Sequence, residues 1–175
     1  MFILPHFSDK EGVHDEQLSQ AASNSLSSPE PTVKGPKLVY VVENDRISSV
    51  ITELIVRKNL SGGEVRRYAN GQWAFDGLML ALRDGIDLPD LVILDLDLPL
   101  MSGWEFLDAL VNQSFPRPIR VFVLTSSIYP DDRAKALSYK QVTGFFTKPL
   151  KDAEVVRMQH LLQEKPQATV KNMLK

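Results

Sequence analysis

Four short stretches of this sequence hold groups suited to handling a phosphoryl group. They are Glu43-Asn44-Asp45, Asp95-Leu96-Asp97, Thr125-Ser126-Ser127 and Lys148-Pro149. Clustered carboxylates repel one another and attract a hard divalent cation, of which Mg2+ is the first choice. Such a cation bridges carboxylate and phosphoryl oxygens and spreads charge in the transition state. A carboxylate can itself be the nucleophile. A lysine adds a point charge for a phosphoryl oxygen, and a Thr or Ser hydroxyl can donate to another. Together these groups suit phosphoryl transfer onto a carboxylate. The sequence has no Gly-x-x-x-x-Gly-Lys-Ser/Thr run, and none is needed if the donor is already a phosphorylated protein.

Taken singly, each residue has a plainer role. Asp45 is most simply the N-cap of a following helix. Lys148 alone is a surface lysine and Asp95 alone a loop aspartate, while Met101 and Trp104 read as packing residues. The case for chemistry rests on the elements that would bring the four stretches together. Residues 38–42, 91–94 and 121–124 are apolar runs rich in β-branched residues, the pattern of strands buried on both faces. Residues 65–69 and 144–147 are shorter strand candidates. Ile47, Val50, Ile51, Leu54 and Ile55 recur at helical spacing, as do Ala74, Leu78, Ala81 and Leu82. Further helices are expected around 104–111, from Pro130-Asp131-Asp132-Arg133, and from Asp152 through Val155, Val156, Met158, Leu161 and Leu162, with Pro166 as the stop. Five strands alternating with five helices imply a parallel sheet covered on both faces. The four stretches each follow a strand, so they fall at the carboxyl end of the sheet, where such folds bind ligands.

The remaining features bound the answer. The chain has 175 residues, is 43% hydrophobic and 24% charged, carries a net charge of −2 and contains no cysteine. This excludes a disulfide framework and cysteine chemistry, and fits a cytoplasmic setting. Near-neutrality speaks against nucleic acid as a partner, and no apolar run reaches the ~18 residues of a membrane span. Residues 9–36 are rich in Ser, Pro, Glu and Gln, too polar to offset their own ordering. Residues 1–36 are therefore expected to be a flexible tail or linker, residues 37–164 the folded domain, and residues 165–175 a second tail. A short helix around residues 14–22 is the alternative for the first segment, and Phe2, Ile3, Leu4 and Phe7 are a candidate docking patch.

The stretch from Lys37 to about Leu162 resembles a response-regulator receiver domain. The resemblance is carried by Val-Val-Glu-Asn-Asp (41–45), Pro-Asp-Leu-Val-Ile-Leu-Asp-Leu-Asp-Leu-Pro-Leu-Met-Ser-Gly (89–103), Val-Leu-Thr-Ser-Ser (123–127) and Gly-Phe-Phe-Thr-Lys-Pro-Leu (144–150). It implies an α/β, flavodoxin-like (βα)5 fold with strand order 2-1-3-4-5. It also implies roles for individual residues. Asp95 would be the phosphoacceptor. Mg2+ would be held by Glu43, Asp95, the backbone carbonyl of Asp97 and, weakly or through water, Asn44. Thr125 would be the switch hydroxyl and Phe145 the switch aromatic. Lys148 would contact the phosphoryl group across a cis Lys148–Pro149 bond. The implied partners are a histidine kinase or histidine phosphotransfer protein as donor, and a downstream protein on the face formed by residues 131–162. A monomer or weak homodimer is expected. The chain would assist its own phosphorylation and dephosphorylation without being an enzyme for a diffusible substrate.

Two departures from the family pattern matter most, beside the milder loss of a hydroxyl where Phe145 stands in place of tyrosine. Asn44 stands where a second acid is usual, which removes one negative charge from the metal site. Asp97 adds a carboxylate two residues after Asp95, beside the path of attacking water. Asn44 keeps a second reading open, a receiver-like binding module that works without phosphorylation. A haloacid-dehalogenase-like phosphatase, suggested by Asp95-Leu96-Asp97, is a remote third, because here the motif follows the third strand and not the first.

Overall fold

Aliphatic and β-branched runs become the strands, and each capped amphipathic stretch becomes a helix. The computed structural model describes residues 35–60 and 63–163. In chain order these form β1 (Leu38–Val42), α1 (Arg46–Asn59), β2 (Glu64–Tyr68), α2 (Gly71–Asp84), β3 (Leu91–Leu94), α3 (Gly103–Val111), β4 (Arg120–Thr125), α4 (Pro130–Ser138), β5 (Val142–Thr147) and α5 (Asp152–Gln163). The expected helix at 14–22, the apolar patch at residues 2–7, the stop at Pro166 and both expected tails, apart from Gly35 and Pro36, lie outside the described residues.

The five strands form one parallel sheet in the order β2-β1-β3-β4-β5. This is the flavodoxin-like order that the family resemblance implied. β1 and β3 are buried along their whole length, as expected of strands covered on both faces. Alternate residues feed two cores. Tyr40, Val42, Val92, Leu94 and Val123 pack with Leu78 of α2 and Phe106 and Leu107 of α3. Val39, Val41, Ile93 and Phe122 pack with Val56 of α1 and Val155 and Met158 of α5. Each of these fully buried side chains contributes roughly 1.5–3 kcal/mol by leaving water.

One helix turns the opposite way from its apolar pattern. The buried side chains of α1 are Ser49, Thr52 and Val56, and of the expected apolar set only Ile55 packs against the core, partly buried. Ile47, Ile51 and Leu54 are 70%, 44% and 62% exposed, and Val50 is also exposed. Both sets recur at helical spacing, so periodicity marks a stripe without saying which stripe meets the sheet. Small residues on the inner side let α1 lie close to β1 and β2. No described helix is long and apolar enough to cross a membrane.

Candidate functional site

Two of the strand ends that matter most, those of β1 and β3, are neighbours in the sheet. β1 ends at Val42 and is followed by Glu43, and β3 ends at Leu94 and is followed by Asp95. Glu43 is held by its N–H donating to Tyr68 O (2.9 Å), and Asp95 by its N–H donating to Val42 O (3.0 Å). Both carboxylates are buried. From the far side, Lys148 reaches in from the end of β5, its own N–H donating to Thr125 O at 2.9 Å. Its ammonium donates to Asp95 Oδ2 at 2.6 Å and is also paired with Glu43 Oε2. The Lys148–Pro149 peptide is cis, the geometry that the family resemblance implied.

Two buried carboxylates therefore share one cation, and the trio carries a formal charge of −1. Burial disfavours the ammonium form of Lys148, but hydrogen bonds to Asp95 and Glu43 outweigh it and hold the lysine above its ordinary range. The second oxygen of each carboxylate is held by backbone. Asp95 Oδ1 accepts from Leu96 N at 2.7 Å and Asp97 N at 3.4 Å. Glu43 Oε1 accepts from Asp45 N at 3.0 Å. Only Oδ2 of Asp95 and Oε2 of Glu43 thus face a mobile side chain.

The other candidate residues divide. Thr125 is buried at the end of β4, and its Oγ1 accepts from Ser127 N at 3.3 Å. Phe145 is buried two register positions back along the same strand pair, opposite Val123. Asn44, Asp45 and Asp97 are exposed. Asp45 caps α1, its Oδ1 accepting from Ser48 N at 2.7 Å. The Ser48 N–H and hydroxyl hold that carboxyl below the usual range, which is the capping role its position suggested. The acidic patch is accordingly smaller than the sequence suggests, since Glu43 and Asp95 form it without Asp45 or Asp97.

The β3–α3 loop carries Asp95 and is tightly built. Gly103 N donates to Leu96 O at 3.0 Å. A Cβ on Gly103 would meet Asp95 O at 2.3 Å and Leu96 Cα at 2.7 Å. Ser102 and Glu105 form a reciprocal capping box at the start of α3. Leu100, φ 67°, lies in the left-handed region, with Met101 N closing the turn onto Pro99 O at 2.8 Å. Sequence reasoning did not find three further contacts here. Ser127 donates to Asp132 of α4, while Arg133 of α4 donates to Phe145 O at 3.1 Å and stacks on the Phe145 ring. The only sequence signal was Asp-Asp-Arg after Pro130, which reads equally well as a plain helix start.

The donor chemistry fits a hard cation. Two carboxylate oxygens converge on the Lys148 ammonium, and a divalent ion at their mouth would meet oxygen ligands alone. Among the described residues, however, no group of three or more His, Cys, Asp or Glu side chains is placed to hold a metal. On the β1 side, an exposed amide, Asn44, follows Glu43.

Residues 39–160 match the response regulator receiver domain. The chain is 30% identical over 129 residues to the probable methanogenesis regulatory protein FilR2 of Methanothrix harundinacea (strain 6Ac), covering 74% of this chain and 83% of that protein. In structure it resembles a two-component response regulator from Cytophaga hutchinsonii, with TM-score 0.67, 25% identity and coverage of 74% of this chain and 99% of that one. It also resembles the signal receiver domain of a signal transduction histidine kinase from Syntrophus aciditrophicus, with TM-score 0.60, 26% identity and coverage of 79% and 98%.

Proposed function

The chain belongs to the response regulator receiver family, and we propose that within two-component signalling it accepts a phosphoryl group on Asp95 from a phosphohistidine of a kinase or phosphotransfer protein. The observation that carries this reading is the buried Glu43–Lys148–Asp95 trio at the carboxyl end of the sheet. Asp95 Oδ2 attacks phosphorus as the bond to the imidazole nitrogen breaks. The new bond is an acyl phosphate, and the imidazole keeps the electron pair and takes up a proton. Lys148, already on Oδ2, stays close enough to hold a phosphoryl oxygen. Thr125 stands at the neighbouring strand end as a hydroxyl donor. Backbone N–H groups of Leu96 and Asp97 fix the carboxylate by its other oxygen, so attack is confined to one lone-pair direction.

Receiver domains generally bind Mg2+. In this chain Glu43, Asp95 and the Asp97 carbonyl would hold it, with Asn44 contributing an amide or a water. When bound, it supplies charge neutralisation between carboxylate and phosphoryl oxygens. The partner is a protein, and the surface around the pocket supports that. Ile47, Ile51 and Leu54 run outward along α1 from the second residue after the Asp45 cap, and Leu100 and Ile128 stand exposed on the adjoining loops. Downstream signalling uses the face of residues 131–162, and the setting is the cytoplasm, where such kinases release their phosphoryl groups.

Lys148 already balances half of the pocket charge, and Asn44 removes an acid. These two facts favour the second reading, a module that binds partners without phosphorylation. Calorimetric titration with Mg2+ separates the two. Saturable binding that disappears in Glu43→Ala supports the phosphoacceptor reading, and no binding by the parent chain supports the second.

A further inference from the structure

None of the candidate pocket residues comes from the end of β2, yet the turn after it touches both loops that carry the carboxylates. Tyr68 O accepts from Glu43 N at 2.9 Å, and three residues on Gly71 N donates to Met101 O at 3.1 Å. The first contact holds the loop of Glu43 and Asn44. The second holds the far end of the β3–α3 loop, which begins at Asp95. The turn itself is firmly seated. The Tyr68 ring packs on the buried Tyr40, with centroids 4.7 Å apart. Its hydroxyl lies over Gly77 of α2, where a Cβ would come within 2.7 Å of the oxygen. Asn70 is 3% exposed and caps α2, its Oδ1 accepting from Trp73 N at 2.8 Å. Gly71 is buried, and a Cβ there would meet Met101 O at 2.5 Å. Backbone meets backbone at this point, an approach that glycine permits. Met101 follows Leu100, whose left-handed backbone persists only where its surroundings fix it.

We propose that Asn70 and Gly71 are positioning residues for the pocket. The β2–α2 turn braces the Glu43 loop and the Asp95 loop, and so sets the separation of Glu43, Asp95 and the Asp97 carbonyl on which cation binding depends. The inference rests on the reading of that pocket as the phosphoacceptor site. Mg2+ demands near-ideal octahedral oxygen geometry, so a small shift of one loop against the other costs affinity. A methyl group at Gly71 would force such a shift, because what it meets is the carbonyl of Met101 and not a side chain that could turn aside. Gly103 fixes the same loop from within, whereas Gly71 fixes it from a separate element. Helix capping alone would account for Asn70. It does not account for a glycine pressed against another loop at the first position of α2, since alanine is the better helix former.

The test uses the full chain and its variants Gly71→Ala, Asn70→Ala, Asn70→Ser and Ala81→Gly. The last weakens α2 by lower helix propensity about 15 Å along the helix from the turn. Two quantities are read: Mg2+ affinity by calorimetric titration, and hydrogen exchange by mass spectrometry in peptides covering residues 96–103. Gly71→Ala should weaken Mg2+ binding about tenfold, the low end for losing an outer partner of a metal ligand, and should speed exchange at 96–103 several-fold. Asn70→Ala should move both in the same direction by less, and it carries the comparison if Gly71→Ala does not fold. Asn70→Ser keeps an acceptor for the Trp73 N–H and should stay close to the parent. Ala81→Gly should leave both quantities unchanged. Parent-like exchange at 96–103 in Gly71→Ala and Asn70→Ala overturns the brace. Equal changes in Ala81→Gly overturn it as well, because loss of helix stability then suffices. Faster exchange with undiminished Mg2+ affinity overturns the positioning role. If the parent chain binds no Mg2+, the phosphoacceptor reading and the metal role fall together, and the exchange rates alone decide whether the turn braces the loop.

Discussion

Lys148 is the residue on which the pocket balances. It lies between two carboxylates whose side chains are only 4% and 5% exposed, so its removal leaves two buried charges uncompensated. Lys148→Ala should destabilise the domain by about 3–5 kcal/mol, the range for breaking a buried ion pair by deleting one partner, as read by urea denaturation. The same lysine sets an alkaline limit. Its proton is bound more tightly in the folded than in the unfolded chain, because its carboxylate partners outweigh the burial that opposes them. Burial likewise raises Tyr68, and a hydrogen bond to Asp108 with partial burial pushes Tyr139 up to about 12. For groups raised on folding, the stabilisation is complete below the unfolded values and is lost as pH rises through the folded ones. The midpoint of thermal unfolding should therefore fall steeply above about pH 10, where unfolded Lys and Tyr begin to lose protons. Glu43 and Asp95 were legible in the sequence because each follows a long apolar strand run, and Lys148 because it follows a shorter strand candidate. Their mutual distances were not, and neither was the exposure of Asp97, since spacing along the chain says which end of the sheet a residue reaches but not where its side chain turns.

At the scale of elements, the start of α3 does most to position Asp95. Alanine at Gly103 would gain about 1 kcal/mol of intrinsic helix propensity. Against this, its Cβ would meet the backbone of Asp95 and Leu96 at 2.3 and 2.7 Å, and backbone cannot yield as a flexible side chain would. The clash wins, and Gly103→Ala should destabilise by roughly 1–3 kcal/mol net while displacing the loop that carries Asp95. Comparison with Ser102→Ala, which loses the capping box for about 1 kcal/mol but leaves the Asp95 backbone in place, distinguishes the two effects. Phosphorylation by a small donor should slow in the first variant and hold in the second. The cap of α1 was readable from Asp45, and the structure adds Asn70 and Ser102, whose side chains likewise accept from a backbone N–H three residues on. The direction of α1 was not readable. Its exposed apolar stripe follows the helical period as well as its buried side does, and only packing against β1 and β2 chooses between them.

At the scale of the molecule, the order β2-β1-β3-β4-β5 places the ends of β1 and β3 side by side and lets Lys148 reach both from β5. The strand count and parallel sense followed from repeated βα units, whereas the order came from family resemblance, because no local pattern says which strands are neighbours. The exposed stripe of α1 is the side proposed to meet the phosphoryl donor. Ile51→Glu and Leu54→Glu should change stability by no more than about 0.5 kcal/mol, as for surface substitutions. They should slow phosphoryl uptake from a phosphorylated protein donor and leave uptake from a small donor unaltered. The central claim concerns Asp95 itself. It is tested most directly by intact-mass spectrometry of the full chain after incubation with a small-molecule phosphodonor and Mg2+, beside Asp95→Asn. The structure predicts one labile phosphoryl group on the parent chain and none on the variant. A parent chain that stays unmodified, or an adduct that persists in Asp95→Asn, contradicts it.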